Sequence, residues 1–239
     1  MSSIAIFGAG GRAGRAVAAE AHRRGHRVTA VVRDPGKHPG ITSAVRGDVT
    51  DPRSVATIVP GHDAVVNAVS PASGPEALAT LDFDPDFFVK AADALLDGLS
   101  QAGVLRLVVI GLFASLKNPD GRLLLDDPAV LPVELRPFAL AHTAGLDRLQ
   151  AAETVVDWLM LTPPAALRPD APRTGRYQIG GEHPPDQEVA HLSYADLAVA
   201  TVDEIEAPRH HRTRVSVFSP SDLAMRPSDT QGLGTDVVR

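Results

Sequence analysis

Gly8, Gly11 and Gly14 stand three residues apart in "IAIFGAGGRAGRAV", after an apolar run and at the start of a stretch that reads as helix. The first turn of a helix carries unpaired N–H groups and a partial positive charge, so it can hold a phosphate where no side chain blocks the approach. Glycine keeps that approach open. The spacing is G-x-x-G-x-x-G, and Gly10 also permits a looser G-x-G reading. The turn follows a strand-like run and is followed by a second one ending in "VVRD", which is the context a dinucleotide-binding turn requires. A ligand-free strand-to-helix turn is the plain alternative.

The end of that second run should face the adenosine ribose. An acidic side chain there accepts from the ribose diol, whereas an arginine pairs with a 2′-phosphate. Arg33 occupies the tip, which predicts NADP(H) rather than NAD(H); Asp34 is the alternative ribose contact, although Pro35 turns the chain away after it. Arg12 places a second cation beside the phosphates, or is an exposed arginine at a helix start.

The elements that must position these residues alternate regularly. Apolar runs at Ile4–Phe7, Val28–Val32, Ala64–Val69, Leu105–Ile110 and Val156–Leu161 read as buried strands separated mostly by helix-compatible stretches. Helices are expected from about Arg12 to Arg24, closed by Gly25, from about Asp86 to Gln101, and over "SYADLAVATVDEIEA" behind the capping Ser193. A strand-like "RVSVF" follows at Arg214–Phe218. The order predicts an α/β fold, a Rossmann-type doubly wound parallel sheet with a small C-terminal substrate lobe. Residues 1–218 are expected to form one domain. The lobe is placed at about 163–192, a Pro-, Gly- and Arg-rich loop with at most a short strand at Tyr177–Ile179, and 219–239 read as a loose tail.

Composition limits the partners. The chain has 239 residues, 44% hydrophobic and 22% charged, with a net charge of −6 and scattered arginines, so a nucleic-acid partner is not expected. It has no cysteine, which excludes disulfides and thiolate chemistry. No apolar run approaches the ~20 residues of a membrane span. The expected protein is cytoplasmic, a monomer or homodimer acting on a small-molecule substrate. No metal is expected, since His210 and His211 are adjacent and lack ligand spacing.

The segments "FGAGGRAGRAV", "VVRDPGK", "GDVTDPRSV", "DAVVNAVSP", "RLVVIG" and "LSYADLA" together resemble the atypical short-chain dehydrogenase/reductases, in particular the NAD(P)H-binding group similar to biliverdin-IX-beta/flavin reductase. The resemblance covers roughly Ile4 to Phe218. It implies that Asp48 and Val49 flank the adenine and that Asn67, Ala68, Val69 and Ser70 line the cofactor, beside the Gly8, Gly11, Arg12, Ala13 and Gly14 expected at the phosphates. A simple turn role is the plain reading of Asp48.

Ordinary short-chain dehydrogenases use a tyrosine followed four residues later by a lysine that lowers its pKa. This chain departs from that pattern: its tyrosines are Tyr177 and Tyr194, the residues four further on are Gly181 and Ala198, and Lys37, Lys90 and Lys117 all come earlier. The helix expected to carry the pair, "PFALAHTAGLDRLQAAE", offers His142 on one face with Phe138, Gly145, Leu146 and Leu149. His142 is either a half-buried histidine bonded to backbone or, with a near-neutral pKa, the proton donor. Ser115 stands where such enzymes carry a serine that orients a substrate carbonyl, with a cap or turn serine as its plain reading. The bulky Leu112 and Phe113 before it point to an apolar, planar substrate. The expected activity is hydride transfer from NADPH to a flavin, quinone or other conjugated acceptor. The alternatives are a non-catalytic NADP(H) sensor, or a tailoring isomerase or cyclase on the same fold.

Overall fold

The computed structural model describes residues 1–71, 82, 84–184 and 191–219. Its centre is β1, Ser3–Phe7, buried along its whole length. It pairs in parallel with β2 (Arg27–Val32) on one side and β4 (Ala64–Asn67) on the other. Beyond β2 lies the short β3, Val45–Arg46. Beyond β4 come β5 (Arg106–Ile110), β6 (Asp157–Thr162) and β10 (Thr213–Phe218), all parallel. β8, Gln178–Ile179, closes that edge antiparallel to β10, giving the order β3-β2-β1-β4-β5-β6-β10-β8. This is the doubly wound Rossmann-type sheet.

Strand periodicity divides the core in two. Successive side chains leave opposite faces of a strand. Ala5, Phe7, Val65, Leu107, Val109, Trp158 and Met160 therefore pack on one face with residues of α2 (Pro52–Ile58), α3 (Phe87–Ala102) and α4 (Arg136–Ala151). Ile4, Ile6, Val66, Val108, Leu159 and Leu161 pack on the other face with α1 (Arg12–Arg23) and α5 (Tyr194–Glu206). Both helix layers are needed because each strand is apolar on both faces.

Local chemistry sets the helix ends. Gly25, at φ +82°, follows α1, and Gly103, at φ +68°, ends α3. Asp51 caps α2 by accepting from the Arg53 N–H at 3.0 Å, with Pro52 at the first position. Ser193 caps α5, accepting from the Asp196 N–H at 2.9 Å.

The segment after β6 carries more structure than the single short strand expected of it. β7, Ala166–Arg168, pairs in parallel with β9, His191–Ser193, while β8 joins the main sheet. β7 and β9 have three residues each, too few to show a hydrophobic period. Of the expected tail, Ser219 donates its N–H to His191 O at 2.8 Å, and 220–239 lie outside the described residues.

Candidate cofactor and substrate site

A cleft of about 1010 Å³ opens at the C-terminal ends of the strands, where the chain order reverses about β1. This is the position at which doubly wound sheets bind their ligands. Gly8 leaves β1 at φ +82°, and a Cβ there would meet Ala68 O at 2.6 Å. Gly14 sits on the Gly8 carbonyl so closely that any side chain would collide with it. These two glycines hold the turn itself together. Gly11, the residue before α1, is different: an added Cβ would have only Gly8 O within 4 Å, at 3.4 Å. No side chain caps α1, and its first turn holds no acidic residue. Gly8, Gly10, Gly11, Arg12 and Ala13 line the cleft, so the positive end of the helix faces it bare. That arrangement fits a pyrophosphate.

One end of the cleft is basic. Arg33 lies there with Arg12, Lys37, His38 and Arg46, and Arg12, Arg33, Lys37 and Arg46 are exposed. Asp34 also lines this end of the cleft and is exposed. Its Oδ1 accepts from the Gly36 N–H at 3.1 Å, capping the short 3-10 turn Pro35–Lys37, and Oδ2 lies 3.9 Å from Lys37 Nζ. Asp48 and Val49 line the neighbouring wall. Asp48 also makes the turn expected of it, its Oδ1 accepting from the Thr50 N–H at 2.9 Å and the Thr50 hydroxyl at 2.8 Å. Ala68, Val69 and Ser70 line the middle of the cleft. Asn67 is buried beneath them, where its Oδ1 accepts from the Val69 N–H at 3.2 Å. It shapes the loop and does not reach the cleft.

The other end is aromatic and apolar. Phe87, Phe88, Leu112, Phe113, Phe138 and His142 line it, joined by Tyr194 from the start of α5. The His142 ring lies over Phe88 with centroids 4.3 Å apart, and Phe138 meets Phe88 edge-on at 5.7 Å. Burial pushes the His142 pKa down to about 4, and its Nδ1 finds no hydrogen-bond partner. Burial thus favours the uncharged imidazole at neutral pH, set in the aromatic wall, over the near-neutral donor of the alternative reading.

For Ser115 the expectation is corrected. The 3-10 turn Phe113–Ser115 turns Phe113 onto the cleft and Ser115 inward, where it is fully buried. Its hydroxyl donates to Leu112 O at 2.8 Å, and its carbonyl accepts from Arg214. It is a structural serine with no face on the cleft. Tyr177 is also engaged elsewhere, its hydroxyl donating to Asp203 at 2.7 Å.

Several cleft residues carry little sequence signal. Lys37 and His38 come back to the glycine loop through the turn that Asp34 caps, and "DPGK" is the local cue for it. Arg46 arrives on the two-residue β3, beside Val32. Phe87 and Phe88 begin α3 and meet edge-on, and Phe88 meets Phe138 of α4.

The model of the NAD(P)H-binding family matches residues 8–208, which span the glycine turn, the cleft walls and both helix layers. The chain belongs to this family. It binds a nicotinamide cofactor by that membership. The uncharacterized protein YwnB of Bacillus subtilis is 35% identical over 223 residues, covering 92% of this chain and 99% of the relative. Among solved structures, a protein of Streptococcus pneumoniae provisionally named an NADH-flavin reductase is 30% identical with a TM-score of 0.76, covering 92% of this chain and all of that one. One of Bacteroides thetaiotaomicron, provisionally named an epimerase, is 31% identical with a TM-score of 0.78, covering 92% and 98%. Among the described residues, no helix is long and apolar enough to cross a membrane.

Proposed function

We propose that the chain is an NADPH-dependent oxidoreductase that passes hydride to a planar conjugated acceptor such as a flavin or quinone. One observation carries the reading: a single cleft joins a basic end, the bare helix terminus and an aromatic end in the order that a dinucleotide and a flat acceptor require. The provisional naming of the Streptococcus pneumoniae relative as an NADH-flavin reductase supports the same class.

The chain's own residues bind, orient and exclude water. Gly11, Arg12 and Ala13 hold the pyrophosphate at the start of α1, and Arg33, Lys37 and Arg46 hold the 2′-phosphate. Asp48, Val49, Ala68, Val69 and Ser70 support the adenosine and the path to the nicotinamide. Phe88, Phe113, Phe138 and the neutral His142 present an apolar wall on which a flat acceptor ring would stack. The bound cofactor supplies a hydride. Solvent supplies the proton that completes reduction of a flavin or quinone, so neither a Tyr–Lys pair nor a charged histidine is needed.

Titration of the purified protein with NADPH and NADH, alongside NADPH consumption with flavins and quinones, tests the reading. NADPH is expected to bind more tightly, and Arg33→Ala to remove about 1–3 kcal/mol of that preference. Equal affinities in the parent would refute the assignment of the basic end. Tight NADPH binding with no consumption across the panel would identify a sensor instead.

A further inference from the structure

A second cavity, of about 210 Å³, lies behind the aromatic end of the cleft. The two share Phe113, Pro164 and Ala165 as a common wall. Beyond that wall the smaller cavity is lined by the apolar Leu116, Leu124, Val130 and Val217, and it opens to solvent beside the exposed Ala129 and Ala166. An apolar cavity of about 150 Å³ is enough to hold a benzene ring. Its polar marks are few. Ser216 is satisfied, its hydroxyl donating to His183 O at 3.2 Å. Thr162 is not: it is fully buried, and its Oγ1 has no hydrogen-bond partner. The same hydroxyl sits beside Gly111, a residue of the cleft wall. Apart from these two hydroxyls the lining residues are apolar, so the cavity suits an apolar group.

We propose that this side cavity receives an apolar arm, one aromatic ring or a branched alkyl group in size, carried by the acceptor whose conjugated ring lies in the cleft. The proposal rests on the oxidoreductase reading above and narrows its substrate class to ring acceptors bearing such an arm. Phe113 and the Pro164–Ala165 pair form the threshold between ring and arm. Val130 lines the side cavity and not the cleft, so it selects for the arm without touching cofactor or ring.

The test uses the NADP⁺-loaded protein, in which no turnover occurs, titrated by calorimetry with menadione, which is ring without arm, and with a phenyl-substituted naphthoquinone. The parent is expected to bind the phenyl compound about tenfold more tightly than menadione. Val130→Phe should erase that gain while leaving the affinities for menadione and NADP⁺ within about twofold of the parent. Val130→Leu, a milder filling, should remove part of it, and Val130→Ala should keep it. Equal affinity of the parent for the two quinones, or a gain that survives in Val130→Phe, would overturn the proposal. NADPH consumption, measured separately, keeps the two failures apart. Turnover without discrimination sinks the side cavity alone, whereas discrimination without turnover sinks the oxidoreductase reading and with it the claim that the arm belongs to a substrate.

Discussion

Gly11 differs from Gly8 and Gly14 in what a side chain would meet there, and that difference separates binding from folding. A valine at 8 or 14 would strike backbone, whereas at 11 it would project into nearly open space at the foot of α1. Gly11→Val is therefore expected to keep the circular dichroism of the parent and lose NADPH binding by calorimetry. Retained binding would mean the phosphates lie elsewhere. The tyrosines belong to the same scale. Tyr177 is held by Asp203, and Tyr194 lines the cleft with no lysine four residues beyond. Replacing both by phenylalanine should leave the hydride-transfer rate within about tenfold, near ~1.4 kcal/mol of barrier or less. Complete loss of turnover with NADPH still bound would make Tyr194 the proton donor. His142 has a different signature. Burial lowers its pKa from 6.5 to about 4, so between those values the unfolded chain takes up a proton that the folded one refuses. Stability is lost as pH falls through that window, and His142→Phe should flatten the loss by about 1–3 kcal/mol, read by urea unfolding at several pH values.

At the scale of elements, α1 is fixed by more than its apolar face. Glu20 is 4% exposed and lies on the inward side of the helix with Val17 and Ala21. It accepts from Arg23, from Arg24 at 2.7 Å and from Arg173 of the segment after β7 at 2.9 Å. Arg24 in turn reaches Asp203 and Glu206 of α5, each at 2.6 Å. The hydrogen bond from Arg23, helped by Arg173 and Arg24 against the penalty of burial, holds the Glu20 carboxyl far below the usual carboxylate range. A depressed folded-state pKa contributes stability above the unfolded value, about 4.5, and that contribution is lost as pH falls below it. Glu20→Gln should cost about 1–3 kcal/mol at neutral pH in urea unfolding, with the difference from the parent shrinking in acid. A pH-independent difference would show that packing, and not charge, is what the variant loses. The charges of this cluster come from three separated stretches of chain, which is why the sequence shows no sign of it. The long helices and the apolar strand runs were legible because each carries a hydrophobic pattern of its own. β3, α2 and the β7–β9 pair were not, since two to seven residues carry too little pattern and depend on the neighbours they meet.

Over the whole molecule, the doubly wound order and the glycine turn were readable because strand, turn and helix each have a local signature that repeats along the chain. The basic end was half readable: Arg33 stands at a strand tip, but Lys37 and Arg46 join it only through a capped turn and a neighbouring strand. The aromatic end was least readable. It is assembled from α3, α4, the turn after β5 and the start of α5, and the inward rotation of Ser115 and the burial of His142 depend on packing that no single stretch encodes. On the proposed function, this one cleft holds cofactor and acceptor together. The most direct measurement of this is a single turnover in stopped flow, mixing NADPH-loaded protein with a flavin or a quinone and following the absorbance of the reduced nicotinamide. That absorbance is expected to fall with one acceptor reduced per cofactor, and no such phase is expected in Gly11→Val. Bound NADPH that persists unoxidised against every acceptor, with binding intact, would contradict the proposed function.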